Sequence, residues 1–421
     1  MACWPRAAQA GMELDSVEQL RLLGKGVSPP KVIDGARFRV AVFAFEDRDG
    51  LGLSEPLATL VAQQVLLGSK VSSLGVLRFS DPMSPAAEAV DPNAGYFERI
   101  DKLAAAQSVT LSLWGTVRRE GDDALVVDTY LQLPAETVAL GLQLRQRLPQ
   151  ATWPDGPPLL ARVGGDRVLL QRLRVAPADA NAIRAAATRA TELRERAEPQ
   201  APVVATLPRQ RIYAVLQQIA GWSRVFVAGQ SLWLRPPDEA CRERCAPLLD
   251  SGRFVSALMR FIERREPIAA AATMSREAQI FALQTRALAL LDRRRPGGDP
   301  IGPPKEAQAV LEPLLESNDG VPPPFIAGSA NLLLLARVSL ALRESALRTG
   351  GEAYDQWRVQ REAWLPIAFE AAEALQHEPQ NLELLHNLAV LFRLGGLEER
   401  AQLARQLLDQ ARSASRLGTL R

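Results

Sequence analysis

The chain has 421 residues, 47% of them apolar and 23% charged, with a formal net charge of +2. Those values describe an ordinary globular protein of about three domains. The near-neutral charge provides no field that would favour nucleic acid, and no apolar run approaches the ~20 residues of a membrane span. Three cysteines and two histidines leave little for metal chemistry, and no metal or other cofactor is expected.

Residues 1–36 read as a leader or flexible amino terminus. Ala8-Gln9-Ala10 resembles a cleavage site, but no apolar stretch precedes it. Either the start of a signal peptide is missing, or Met12 is the true initiator.

Residues 37–148 read as a small α/β domain. Phe38–Phe45 is a strand ending in the polar Glu46-Asp47-Arg48-Asp49-Gly50. Ser54 offers an N-cap and Pro56 a first turn for a helix to about Leu67, with Leu57, Leu60, Val61, Gln64 and Val65 on one face. A second strand at Val76–Phe79 and a second helix at Tyr96–Gln107 follow. Val109–Val117 and Ala124–Leu133 form a hairpin about Gly121, and Leu140, Leu142 and Leu144 alternate as a fifth strand. Glu46, Asp47 and Asp49 read as a solvated loop or as a cation site, and no second carboxylate cluster supports the latter. A Rossmann fold lacks its glycine-rich phosphate loop here. In its opening Val40-Ala41-Val42 with Phe45, its Ala104–Ser108 entry into Leu113-Trp114-Gly115-Thr116-Val117, and its Gly121 turn, the segment resembles the amino-terminal domain of TolB and related flagellar and curli-export envelope proteins.

Residues 149–189 form a join. WPDGPP breaks the chain, Leu159–Val163 and Val168–Val175 look like a hairpin across Gly164-Gly165-Asp166, and Ala178–Arg196 reads as an alanine-rich helix. Leu193-Arg194-Glu195 reads alternatively as a first strand of the next module.

Residues 190–237 carry short β-branched and aromatic runs at Val203–Ala205, Ile212–Leu216, Trp222–Val227 and Leu232–Leu234. Breakers at Pro208, Ala220-Gly221 and Ala228-Gly229 separate them, and strands this short predict a closed barrel. Thr206-Leu207-Pro208, Gly221-Trp222, Arg224-Val225, Gly229 and Trp233 make the segment resemble the bacterial SH3-like family, although Gln210 stands where that family usually has Gly. The resemblance implies a cell-wall peptide or a partner protein as ligand. Trp222 and Trp233 either fill the barrel core or present a binding platform.

Residues 238–421 read as helical. Cys241 and Cys245 are free thiols, a disulfide if the protein is exported, or a metal or redox site; their four-residue spacing on one helix strains a disulfide. Residues 379–408 resemble one tetratricopeptide unit: Pro379, the cap Asn381, the stripe Leu385, Leu388, Ala389 and Phe392, then Asn387, Gly396 at the turn, and Ala401 where helices approach closely. Ser251–Phe261 resembles the turn and second helix of another unit, and further helices are predicted at Ala278–Leu291, Glu306–Leu315, Asn331–Leu347 and Trp364–Leu375. Stacked units bury what one alone cannot. The family's concave groove would here be lined by Glu383, His386, Val390 and Arg393, which suits a short polar peptide.

The fold class expected is multi-domain α+β: a small α/β domain, an SH3-like β-barrel and an all-α tetratricopeptide-like solenoid. No P-loop, HExxH or GxSxG occurs, and both histidines, His377 and His386, lie in the repeat region. The expectation is a non-catalytic adaptor or scaffold of the bacterial cell envelope, binding a protein partner through the repeats and possessing neither a nucleic-acid ligand nor a transmembrane segment. A cytoplasmic TolB-like regulatory protein and a peptidoglycan-associated protein are the alternatives.

Overall fold

The computed structural model describes residues 38–69, 74–79, 96–106, 109–133, 142–148, 156–165, 167–207, 212–213, 215–227, 230–236, 245–292, 299–316, 320–348 and 357–418. The fold is mixed α+β, with several sheets and ten helices among these residues. The chain divides into two compact units, residues 1–137 with 166–278, and residues 138–165 with 279–421. The expected leader lies outside the described residues.

The first unit is built on β1 (Phe38–Phe43), which lies parallel to both β3 (Leu74–Phe79) and β4 (Leu111–Glu120). Val40, Ala41, Val42 and Phe43 are fully buried, the continuous apolar pattern of a strand covered on both faces. Helix α1 (Ser54–Gly68) connects β1 to β3, and α2 (Tyr96–Ala106) precedes β4. Tyr96, Ile100 and Ala104 pack with Ala41, Phe43, Val109 and Trp114. Ser54 does not cap α1: the N-cap is Leu53, and the Ser54 hydroxyl donates to the Phe45 carbonyl at 2.5 Å. Short β2 (Glu46–Asp47) pairs with β4, and Gly121, at φ +66°, turns β4 into the antiparallel β5 (Ala124–Gln132). A Cβ on Gly115 would lie 2.3 Å from both the Asp128 carbonyl and the Phe45 ring, so only glycine fits beside Phe45 there.

The strand β8 (Arg167–Val175) pairs with β5. This corrects the hairpin expected between Leu159–Val163 and Val168–Val175, because the long edge of β5 satisfies the β8 backbone. Helix α3 (Ala180–Ala190) ends before β9 (Glu192–Arg194), so the alternative strand reading of this stretch is the one observed. A five-stranded antiparallel sheet then runs in the order β10 (Val203–Thr206), β9, β14 (Gln230–Leu234), β13 (Trp222–Val227), β12 (Val215–Ile219). Ala220 and Gly221 both have positive φ and make the two-residue hairpin from Ile219 to Trp222. Among the described residues this sheet is open rather than a closed barrel. The run read as one strand at Ile212–Leu216 is split, and β11 (Ile212–Tyr213) joins β3 of the large sheet instead.

Helix α4 (Ala246–Arg264) carries Gly252 within it rather than at a turn. Its partner is α1: a Cβ on Gly252 would meet Gln64 at 2.8 Å, Ser256 donates to the Gln64 carbonyl at 3.2 Å, and Arg260 donates to the Gly68 carbonyl at 2.8 Å. Small residues at this crossing let two helix backbones approach. The expected reading of Ser251–Phe261 as turn plus helix is corrected accordingly.

The second unit holds the hairpin β6 (Gln143–Gln146) and β7 (Leu159–Arg162) together with most of α5 (Arg276–Asp292), α6 (Gly302–Glu316), α7 (Pro323–Arg348), α8 (Trp357–Glu373), α9 (Leu382–Leu394) and α10 (Glu398–Gly418). β6 was expected as a fifth strand of the α/β domain; it pairs instead with β7. Helix α7 is long and apolar enough to cross a membrane by length and composition, over Pro323–Glu344, contrary to the expectation that no run comes close; 78% of that window is buried within the protein. Asn381 caps α9, its Oδ1 accepting from Leu384 N–H at 2.9 Å, and Gly396 turns into α10 at φ +76°. Leu385, Leu388, Ala389, Phe392 and Ala401 are all buried.

Candidate functional site

The chemistry of the second unit concentrates along one edge of β7. The strand alternates, and Leu159, Ala161 and Val163 are fully buried. In the antiparallel pairing with β6, Leu159 lies opposite Gln146 and Leu160 opposite Arg145. Val163 N–H donates to the Leu142 carbonyl at 3.2 Å, so the odd-numbered residues of β7 face β6 and the even-numbered residues present their backbone outward.

Helix side chains meet the main chain on that side at Pro158, Leu160 and Gly164. His386 donates through Nε2 to the Pro158 carbonyl at 2.9 Å. Asn387 accepts from Leu160 N–H through Oδ1 at 2.7 Å and donates through Nδ2 to the Leu160 carbonyl at 2.6 Å, closing a bidentate contact with the main chain of one residue. The same Nδ2 donates to Asn331 Oδ1 at 2.6 Å, and Asn331 Nδ2 donates to the Leu160 carbonyl at 2.9 Å. Gln284 accepts from Gly164 N–H at 2.9 Å and donates to the Phe325 carbonyl and the Ser329 hydroxyl, each at 3.0 Å. Gly328 lies beside the Arg162 carbonyl, which a Cβ there would approach to 3.9 Å, and Gln284 Nε2 would be 3.3 Å away.

Gln284, Asn331 and Asn387 are buried, and they sit on α5, α7 and α9 respectively. An amide side chain carries both a donor and an acceptor and so matches a peptide unit whatever side chain that unit bears. Asn331 and Asn387 therefore read the extended backbone of β7 at Leu160, and Gln284 reads the turn just beyond it at Gly164, where φ is +72°, each without regard to the side chain there.

Of the groove residues expected from the sequence, His386 meets β7 directly. Val390, one turn further along α9, is buried with 4% of its surface exposed, and Glu383 is half-buried in the first turn. Arg393 is exposed, its Nε 4.0 Å from a Glu398 carboxylate oxygen. The amides Gln284 and Asn331 went unrecognised in the sequence, and Asn387 was noted only as a family match. Their signal is a single amide within a predominantly apolar helical run, as in IFALQTRALALL, SANLLLLARV and LLHNLAVLF.

Elsewhere, Trp222 is buried with 7% exposure, while Trp233 is half-buried opposite Arg224 and Arg194. The acidic loop's carboxylates are engaged within the protein: Asp47 accepts from Leu51 and Leu53 N–H at 2.8 and 3.2 Å, Asp49 from Arg119 N–H of β4 at 2.5 Å, and Glu46 from the Arg48 guanidinium at 2.9 Å. No group of three or more metal-ligating side chains occurs among the described residues. Asp128 is nearly buried and receives Arg172 bidentately at 2.7 and 2.9 Å, which raises the Arg172 pKa; Tyr130 beside them is raised by burial first and by Asp128 second. Glu277 accepts from Leu169 N–H at 2.7 Å, and burial raises its pKa despite that bond. Cys245 is fully buried and disulfide-bonded, to a partner outside the described residues. Comparison with family models, with curated proteins and with solved structures finds no match to this chain.

Proposed function

We propose that this chain is a non-catalytic adaptor of the bacterial cell envelope. Its helical unit is a tetratricopeptide-like array that holds extended polypeptide, and the five-stranded sheet is an SH3-like interaction module. The observation that carries this reading is the row of buried amides, Asn331 and Asn387 closing on the outer edge of β7 at Leu160 and Gln284 on the turn that follows it at Gly164. A scaffold that binds backbone without regard to side chains is suited to holding segments, whereas catalysis needs groups aimed at a reacting atom. His386 is used to hold the Pro158 carbonyl.

The disulfide at Cys245 supports the envelope, since such bonds persist in oxidising compartments. The strand-helix-strand-helix-hairpin order of the first unit agrees with a TolB-like module. The cell-wall peptide suggested for the SH3-like module would meet Trp233 rather than the buried Trp222.

A photo-crosslinking side chain placed at the exposed Arg393, followed by fractionation of native cells, tests the proposal. The expected result is a discrete heteromeric adduct in the envelope fraction. Recovery of uncrosslinked chain alone, or reproducible turnover by the pure protein that one side-chain substitution abolishes, would refute it.

A further inference from the structure

The hairpin has a second edge. Because Leu144 and Gln146 face β7, the backbone N–H and C=O groups of Arg145 and Arg147 point away from it, toward the outer side of β6. Along β6 runs a cavity of about 290 Å³, lined by Leu144 to Arg147 on one side and by Asp292, Ser339 and Arg343 from α5 and α7 on the other. Its charge is one-sided: three guanidiniums, Arg145, Arg147 and Arg343, stand against the single carboxylate of Asp292. Arg145 and Arg147 are exposed and have no carboxylate partner among the described residues. Arg343 is half-buried, donates to the Pro300 carbonyl at 2.7 Å, and has its pKa lowered by burial. A partly desolvated guanidinium with no carboxylate bonded to it among the described residues gains most from an incoming anion.

A strand edge of four residues with no pairing partner among the described residues, a cavity along it and an excess of arginine together define an occupant. We propose that an acidic, extended segment of a partner protein adds to β6 as a third strand, its backbone pairing with Arg145 and Arg147 and its carboxylates meeting Arg145, Arg147 and Arg343. This rests on the adaptor reading above and names the chemistry of its partner. Main-chain pairing supplies affinity in strand addition, and side-chain pockets supply selectivity. Here the β7 edge is already met by the amides of α7 and α9 at Leu160, so among the described residues β6 is the edge of this hairpin that remains to extend.

The test uses the full chain and capped hexapeptides of alternating glutamate and valine. The acidic peptide should bind, weaken with added salt, and protect the Arg145 and Arg147 amides from hydrogen exchange. Arg147→Glu, on an exposed side chain that leaves folding intact, should lower affinity about tenfold or more. Arg343→Gln should lower it less, its carbonyl bond being the structural part of its role. N-methylation of alternate peptide amides in the pairing register should abolish binding. Equal binding of the lysine-valine peptide, indifference to N-methylation, or binding of inorganic pyrophosphate but not the peptide would each overturn the proposal. No binding, with the Arg393 crosslink in cells unchanged by Arg147→Glu, would mean that the arginines merely guard the edge and that the adaptor reading survives without this strand; loss of every cellular adduct even in the wild type would remove the adaptor reading itself.

Discussion

Asn387→Asp is nearly isosteric, yet the geometry predicts that it harms the protein more than Asn387→Ala. In Asn387→Ala two groups lose partners: the Leu160 N–H and the Asn331 Oδ1, the latter on a residue that is 1% exposed. The Leu160 carbonyl keeps Asn331 Nδ2. At about 1–3 kcal/mol for each buried polar group left unpaired, the loss is about 2–6 kcal/mol. Asn387→Asp retains an acceptor for Leu160 N–H but turns a carboxylate oxygen toward the Leu160 carbonyl and Asn331 Oδ1, the two acceptors that Asn387 Nδ2 now serves. A buried carboxylate facing acceptors adds desolvation and repulsion to the lost hydrogen bonds.

The same placement raises the folded-state pKa of the introduced carboxyl above its unfolded value. The folded form then binds the extra proton, so the stability of Asn387→Asp should rise as pH falls through the raised pKa, as the protonated oxygen donates again. Hydrogen exchange at the Leu160 amide, read with urea denaturation at pH 7 and pH 5, measures both effects. Asn387→Asp within about 0.5 kcal/mol of wild type at pH 7, with Leu160 protection unchanged, would refute the amide-to-backbone account, because surface substitutions away from special features fall in that range.

Glu277→Gln keeps an oxygen to accept from Leu169 N–H while removing a carboxylate whose pKa is raised by burial. In the wild type this raised pKa means stability declines as pH climbs through the window above the ordinary glutamate value, and the variant should lose that part of the pH dependence, as thermal melts across pH 4 to 7 would show. Trp222→Ala should cost about 3–5 kcal/mol, since Trp222 is buried, with calorimetry of the full chain as the check; an unchanged melt would make Trp222 a surface platform. Reducing the Cys245 disulfide, or Cys245→Ser, should cost about 2–4 kcal/mol, and a melting temperature unaffected by reductant would contradict its structural role.

Much of the architecture follows from the sequence alone. The apolar run Phe38–Phe43, the Gly121 turn, the Asn381 cap and the Gly396 turn are set by local rules, because strand period, capping and positive φ depend on a few neighbouring residues, whereas α1 is buried continuously over Leu57–Gln63 rather than along the one face expected. Pairing is not local. Alternation marks Leu140–Leu144, Leu159–Val163 and Val168–Val175 as strands without saying which edge each one meets, and tertiary structure joined β6 to β7 and β8 to β5. The apolar face of α4 likewise accepts any complementary helix; Gly252 against Gln64 and Gly68 against Ser256 selected α1. At the candidate site, the sequence singles out His386 as a binding residue, but its contact with the Pro158 carbonyl is not foreseeable there. Leu160 is separated from Asn387 by 227 positions and from Asn331 by 171. An amide in an apolar helix announces only that some partner must satisfy it, and folding decided that the partner would be the edge of β7.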